Sequence, residues 1–406
     1  MRKTISFAAL LLAANAHAQD IGQPLPAWRQ GELDIHHINT GRGESSLLIL
    51  PDGTSLLVDM SGKTVERPPF SLPTKPDASR APGEWVARYL QRVLPLPSGK
   101  DTARQIDYAM ISHFHGDHMG AIVEDSPRSK NGYRLSGITE VAEHLRIGTV
   151  IDRGWPDYAY PAPLKNPTID NYRSFLDWQA KHRGLKVEQF QPGRNDQLKL
   201  LHEPNAYPQF AIRNVYANGR VWTGEGTRTR PVFSREEAPG ENALSIAFKL
   251  SYGAFDYFSG GDLSAQDIEV DPSLDNVEAA VAQANGKVDA MKANHHGSWD
   301  ANSAPFLRLL QPRVIVVGAR AEGHPAVNTY QRMTSAATWP GPRDIFITNV
   351  SAATFKTTYN IEKAASTQGH VVIRVERGGA SYRVFVLDDS DEAMRVKSIS
   401  GPYSSN

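Results

Sequence analysis

The sequence predicts an α/β fold in a single domain, and three observations point there. Strand-like apolar runs alternate with segments of helical spacing along most of the chain. The stretch His113-Phe-His115-Gly-Asp117-His118 sets four metal-competent side chains in six positions, directly after one of those runs. Further short motifs, spread from Asp59 to His296, must converge on that turn if they serve it. Length alone, 406 residues, would permit two domains or more. The spread of the motifs favours one domain over residues 19–406 instead.

Met1 to Ala18 reads as an export leader. Arg2 and Lys3 give a positive start, Ile5 to Ala14 an apolar stretch too short to span a bilayer, and Ala16-His17-Ala18 a small-residue cleavage site. The mature chain is expected to begin near Gln19 and to work in the periplasm or outside the cell, with no membrane span. The absence of cysteine excludes disulfides, thiolate zinc ligands and a lipid-modified N-terminal cysteine.

Strands are expected over Leu47–Leu50, Leu56–Asp59, Tyr108–Ser112, Val150–Asp152, Ala243–Leu250, Phe255–Ser259 and Val314–Val317. Helices are expected over Glu84–Leu94, where Trp85, Val86, Tyr89, Leu90 and Val93 fall on one face, and over Ile138–Leu145 and Val277–Ala284. Residues 64–82, rich in proline and polar groups, read as a surface loop. Residues 153–240 form a large insert carrying Trp155, Tyr158, Tyr160, Tyr172, Trp178 and Trp222. These aromatics are expected either to wall a substrate cleft or simply to pack the insert.

Imidazole and carboxylate together suit zinc, manganese or iron. Gly116 is expected to let the backbone turn sharply enough for His115, Asp117 and His118 to face one space. Adjacent positions point different ways, so one such loop can serve two neighbouring ions. A solvated polar turn is the competing reading, and the density and order of ligand types speak against it.

The H-x-H-x-D-H loop resembles the signature of the metallo-β-lactamase superfamily, and other parts of the chain resemble its remaining elements in order. Leu56-Leu57-Val58-Asp59 is similar to the early strand whose aspartate braces the metal loop. Phe258-Ser-Gly-Gly-Asp262 is similar to the strand end whose aspartate bridges two metals, and Met291-Lys292-Ala-Asn-His295-His296-Gly-Ser to the last ligand loop. Within the superfamily the chain most resembles the metallo-hydrolase domain of the bacterial DNA-uptake competence protein and its secreted stand-alone relatives. That likeness runs through Asp34 to Thr54, Glu241-Asn242-Ala-Leu-Ser245 and Gly323-His324-Pro325. Secreted choline-phosphate esterases of the same fold share the paired histidines.

The resemblance implies an αββα sandwich with the metals at the sheet edge. It implies two divalent ions, zinc foremost and manganese as the alternative. His113 and His115 would hold the first, Asp117, His118 and His296 the second, with Asp262 between them and Asp59 in support. A third histidine expected of the first site has no clear counterpart, since His144, His182 and His202 do not sit at strand ends. Asp152 does, and stands as a further ligand or as a group orienting one. Either His295 or His296 binds metal while the other meets substrate.

The chemistry implied is attack by a water acidified between two dications, the metals also neutralising oxyanion charge. Asp117 would orient that nucleophile or take its proton. His295 and His324 would meet phosphate oxygens or the leaving group, and Lys292 would do the same or form a structural salt bridge. The substrate expected is a phosphoester, most of all a phosphodiester, in a small molecule or in nucleic acid. β-Lactam or lactone hydrolysis and a non-catalytic binding role are the alternatives. Removing Arg2 and Lys3 leaves 42 basic against 44 acidic residues, so no stable nucleic-acid partner is expected. Arg220, Arg228, Arg230 and Arg235 are the local exception, either an anion clamp or a solvated face.

Overall fold

Successive residues of the apolar runs face two different cores, and this arranges the whole molecule. The computed structural model describes residues 21–63, 70–96, 103–265 and 276–406. The leader reading of residues 1–18 lies outside these, as does part of the proline-rich loop, residues 64–69.

The chain first lays down β1 (Leu33–His37), β2 (Ser46–Ile49), β3 (Ser55–Val58), β4 (Gln105–Met110), β5 (Arg146–Asp152) and β6 (Lys186–Gln189) side by side. Between them lie α1 (Pro82–Val93), the short α2 (Gly116–Met119), α3 (Ile138–His144) and α4 (Pro167–Arg183). A second sheet follows from β7 (Phe210–Ala217), β8 (Arg220–Trp222), β9 (Thr229–Pro231), β10 (Ala247–Tyr252), β11 (Phe255–Ser259), β12 (Ala290–Lys292), β13 (Val314–Val317) and β14 (Asp344–Ile347). Its helices are α5 (Val277–Asn285), α6 (Ala304–Leu310), α7 (Val327–Thr334) and α8 (Ala352–Thr357). The chain then returns to the first sheet with β15 (His370–Val375), β16 (Ser381–Leu387) and β17 (Val396–Ser404), β15 pairing with β1. Both sheets are mixed.

Leu47, Ile49, Leu57, Ile106 and Ile147 pack on Val86 and Leu90 of α1, Val141 of α3 and Phe175 of α4. Their neighbours Leu48, Leu56, Val58, Tyr108 and Met110 point the other way and meet Phe248, Tyr257, Ala290, Val314 and Phe346 of the second sheet. Phe258, Met291, Ile315 and Ile345 face outward again, onto Val281 of α5, Phe306 and Leu310 of α6 and Met333 of α7. Burial on both faces explains why β2, β3 and β13 read as unbroken apolar runs rather than alternating ones. The two sheets thus share one core, and each carries helices on its far side.

Two features differ from the sequence expectation. Residues 242–244 form a 3-10 turn ahead of β10, because Leu244 N is drawn back onto Glu241 O at 3.0 Å. The segment 153–240 is woven into the sheets: it supplies β6 at an edge of the first and β7, paired with β10, in the second. Among the described residues no helix is long and apolar enough to cross a membrane.

The parallel strands β3 and β4 of one sheet, and β11, β12 and β13 of the other, end at the same rim. Loops leaving the carboxyl ends of parallel strands are the usual place for a site in α/β folds. Here Ile246 N donates to Ser112 O at 2.9 Å and ties the two sheets together at that rim.

Candidate metal centre

β3 ends at Val58, and the next residue, Asp59, has a φ of 58° that turns the chain so that the carboxylate points back under the β4 loop. Its Oδ1 accepts from Ser112 N at 2.7 Å, and its Oδ2 from Ser112 Oγ and His118 Nδ1, both at 2.7 Å. With Nδ1 donating, His118 presents Nε2 to the rim. The β4 loop then runs into α2. Gly116 begins that helix and does not make a left-handed turn. A Cβ there would lie 2.6 Å from Ala121 Cβ, so close packing rather than backbone freedom requires glycine. The left-handed exit is made by Gly120 at φ 88°.

Four side chains come together from three loops. One ligand atom each from Asp117, His118, Asp262 and His296 lies within 4.8 Å of the others, and all four residues are buried. His118 Nε2 and His296 Nε2 face each other at 3.2 Å. Both face Asp262 Oδ2, at 3.0 and 3.3 Å. Asp117 Oδ2 lies 3.1 Å from His296 Nε2. His113 is wholly buried, with Nε2 3.8 Å from Asp262 Oδ2 and 3.0 Å from Nδ1 of the exposed His115.

The electrostatics describe a place for positive charge. Burial works against protonation of His118 and His296, yet Asp262, with Asp59 and Asp117, raises His118 to about 10, and Asp262 and Asp117 raise His296 well above the usual range. Burial likewise opposes ionisation of Asp117 and Asp262, but His118, Arg320 and His296 hold the Asp117 carboxyl well below the usual range, and His118 and His296 do the same for Asp262. His113, by contrast, is pushed well down by burial and by His118. Protons crowd where a cation would serve several donors at once. Among the described residues Asp262 Oδ1 is buried with no hydrogen-bond partner, which is costly for a carboxylate oxygen unless a ligand takes it. The donor set therefore fits a divalent ion of the zinc or manganese type.

The paired histidines divide as adjacent residues must. Both adopt left-handed backbone, φ 48° at His295 and 54° at His296, a strain of about 1–3 kcal/mol each that neighbouring contacts must offset. His296 Nδ1 donates to Gly318 O at 2.8 Å, which sends Nε2 into the cluster. His295 Nδ1 is held by Asp300 Oδ1 at 2.8 Å, and its Nε2 sits 3.2 Å from Asn242 Nδ2 and 3.9 Å from Asp262 Oδ2. His324 lies flat on His296, ring centroids 5.4 Å apart and planes 8° from parallel, and among the described residues its Nδ1 has no hydrogen-bond partner.

Two candidates, Lys292 and Asp152, take the supporting of the two roles left open for each. Lys292 is 1% exposed, and its ammonium donates to Gly261 O at 2.9 Å and Ala293 O at 3.0 Å. It stands beneath the ligand loops, 3.5 Å from Glu44 Oε2, rather than in the cleft. Asp152 accepts from Gly154 N, Trp155 N, Tyr158 OH and Tyr172 OH at 2.7–3.0 Å. With both oxygens so engaged, it organises the segment after β5. The tyrosines it holds pack against Phe114, between His113 and His115. Most of the arginines read as a clamp are also spoken for. Arg235 donates to Pro161 O and Ala159 O, Arg228 pairs with Glu225, and Arg220 donates to Thr229 Oγ1.

Three carboxylates, two of them buried, and one arginine carry the site without having stood out in the sequence. Glu241 accepts from Phe114 N at 2.7 Å and pairs with the fully buried Arg153. Glu278 on α5 takes Asn294 Nδ2, Asn302 N and Ser303 N at 2.7–2.8 Å and so fixes the loop bearing His295 and His296. Glu44 lies 3.5 Å from His296 Nδ1; burial opposes its ionisation, but Lys292 and His296 bring its carboxyl down to about 2. Arg320 Nε pairs with Asp117 Oδ2. Glu44 and Glu241 lie inside motif segments, where a charge amid small residues was the available signal.

No protein-family model matches the chain, and no curated protein matches it. Among solved structures it is similar to a mutant of CmlA beta-hydroxylase, with 12% identity, a TM-score of 0.40, and cover of 80% of this chain and 53% of that one. It is also similar to a protein of unknown function from Enterococcus faecalis V583, with 8% identity, a TM-score of 0.31, and cover of 82% of this chain and 73% of that one. The chain thus spans about half the length of the first.

Proposed function

We propose that the chain is an exported, metal-dependent hydrolase with the αββα sandwich of the metallo-β-lactamase superfamily, acting on a phosphoester and foremost on a phosphodiester. The observation that carries this reading is the convergence of Asp117, His118, Asp262 and His296 at one rim, with His113 and His115 beside them. Asp117, His118 and His296 would hold one divalent ion and His113 and His115 the other, with Asp262 shared. Bound there, zinc or manganese would acidify water and neutralise charge on the reacting phosphoryl group.

The chain's own groups divide the remaining work. Asp117 orients the nucleophile and receives its proton. His295, steadied by Asp300 and 18% exposed, faces the substrate side of Asp262 and donates to the leaving oxygen. His324 closes the opposite side of His296. Lys292 contributes through position, tying the Asp262 loop to the His295 loop. Residues 1–18 support export.

The test is cleavage of bis(para-nitrophenyl) phosphate by leaderless protein, metal-stripped and then reloaded with zinc or manganese, beside Asp262→Ala. Metal-restored cleavage that the variant lacks is expected. Absence of cleavage by fully loaded protein would overturn the phosphodiester reading, and unchanged turnover in the variant would overturn the shared role of Asp262.

A further inference from the structure

Arg320 follows Gly318, the residue whose carbonyl orients His296, in the loop beyond β13. That loop is pinned from several sides. Ala319 N donates to Thr348 Oγ1 at 3.1 Å, Ala321 forms a bridge with Ser71, and Glu322 N donates to Phe70 O at 2.8 Å. Held this way, Arg320 reaches the cluster through Nε, which pairs with the Asp117 oxygen that also meets His296. The contact is an ion pair without the alignment of a hydrogen bond. The side chain is 32% exposed. Among the described residues its terminal nitrogens have no protein acceptor.

The other cations near the centre are placed differently. Lys292 is spent on two carbonyls in the interior, and Arg153 is committed to Glu241 beneath the β4 loop. Arg320 is the described cation that runs from the ligand cluster to solvent. Four positions on, His324 brings a buried Nδ1, without a partner among the described residues, against His296. One loop therefore sets a guanidinium edge and an unsatisfied imidazole nitrogen beside the cluster. The planar fork of arginine matches two oxygens of a phosphate and carries a charge that does not titrate. A neutral lactone carbonyl would leave that fork half used.

Resting on the phosphoester reading above, we infer that Arg320 forms an anion subsite at the solvent edge of the metal cluster, receiving the non-bridging oxygens of the substrate phosphate. Arg320 thereby selects charged esters over neutral ones, and its own anchor is Asp117.

Inorganic phosphate is the probe, titrated calorimetrically into zinc-loaded wild type, Arg320→Gln and Arg320→Lys, with zinc content measured in each. Arg320→Gln is expected to bind phosphate at least about tenfold more weakly, equivalent to about 1.4 kcal/mol. Zinc content should stay unchanged, and lysine should recover part of the loss. Equal phosphate affinity in wild type and Arg320→Gln would overturn the subsite. So would a loss of phosphate that only tracks lost zinc and returns with excess zinc, since Arg320 would then act solely through Asp117. Turnover separates the two readings. Arg320-dependent phosphate binding without cleavage of bis(para-nitrophenyl) phosphate would sink the phosphodiester function and leave the subsite standing. Cleavage with the same KM in Arg320→Gln would do the reverse.

Discussion

Asp59 Oδ2 and His118 Nδ1 meet at 2.7 Å in the interior, and the same carboxylate accepts two further hydrogen bonds from Ser112. One side chain thus sets the orientation of His118 and the path of the backbone entering the His113 loop. Asp59→Asn keeps the size but offers Nδ2 hydrogens where acceptors are needed. Zinc affinity is expected to fall about 10–100-fold, as it does when a carboxylate behind a ligating histidine is lost. Chelator competition measures it. An affinity within twofold of wild type would show that His118 needs no such partner.

The division between His295 and His296 has an equally direct check. His296 sends Nε2 into the cluster while His295 is held aside by Asp300 and Asn242. His296→Ala should lower zinc content and affinity at least tenfold more than His295→Ala, whose main effect should fall on turnover. Thermal melting of both variants separates lost ligation from lost folding. The opposite order of affinities would exchange their roles.

The strands were legible because burial on both faces writes itself into composition: Leu47 to Leu50 and Val314 to Val317 admit nothing polar. The grouping of Asp117, His118, Asp262 and His296 was approachable from motif spacing, since each lies just past a strand-like run. What stayed hidden is the layer behind them. Glu241 reaches Phe114 across more than a hundred positions, and Glu278 serves a loop from within a helix whose other residues are apolar. Neither periodicity nor a short motif encodes such pairings. Lys292 and Asp152 stayed open between two roles for the same reason, because a charged residue at a strand end reads alike whether it turns into the cleft or under it.

Glu241, 16% exposed, pairs with the fully enclosed Arg153 behind the β4 loop, and Arg153 stacks over Phe114 at 4.6 Å. Removing one partner strands the other charge. Glu241→Ala should destabilise the protein by about 3–5 kcal/mol and loosen Phe114, whose N–H loses its acceptor. Adding Arg153→Met should restore part of that loss, because the double variant leaves no buried charge unpaired. Denaturant unfolding of the single and double variants measures both effects. Strict additivity would mean that the two residues act independently.

Glu140, near the start of α3, links stability to pH in a region away from the metal ligands. Burial, reinforced by Glu84, raises its carboxyl from 4.5 to about 7, and among the described residues its Oε2 has no hydrogen-bond partner. The folded state thus favours the protonated form. Its contribution to stability is complete below pH 4.5 and is lost as pH rises through about 7. The difference amounts to about 3 kcal/mol once the group is fully ionised. Glu140→Gln keeps the shape and cannot ionise, so it should be more stable than wild type at pH 8 and nearly equal to it at pH 4.5. Urea unfolding at the two pH values gives the comparison. A variant that gains nothing at pH 8 would show that Glu140 reaches water or a counter-charge in the folded protein.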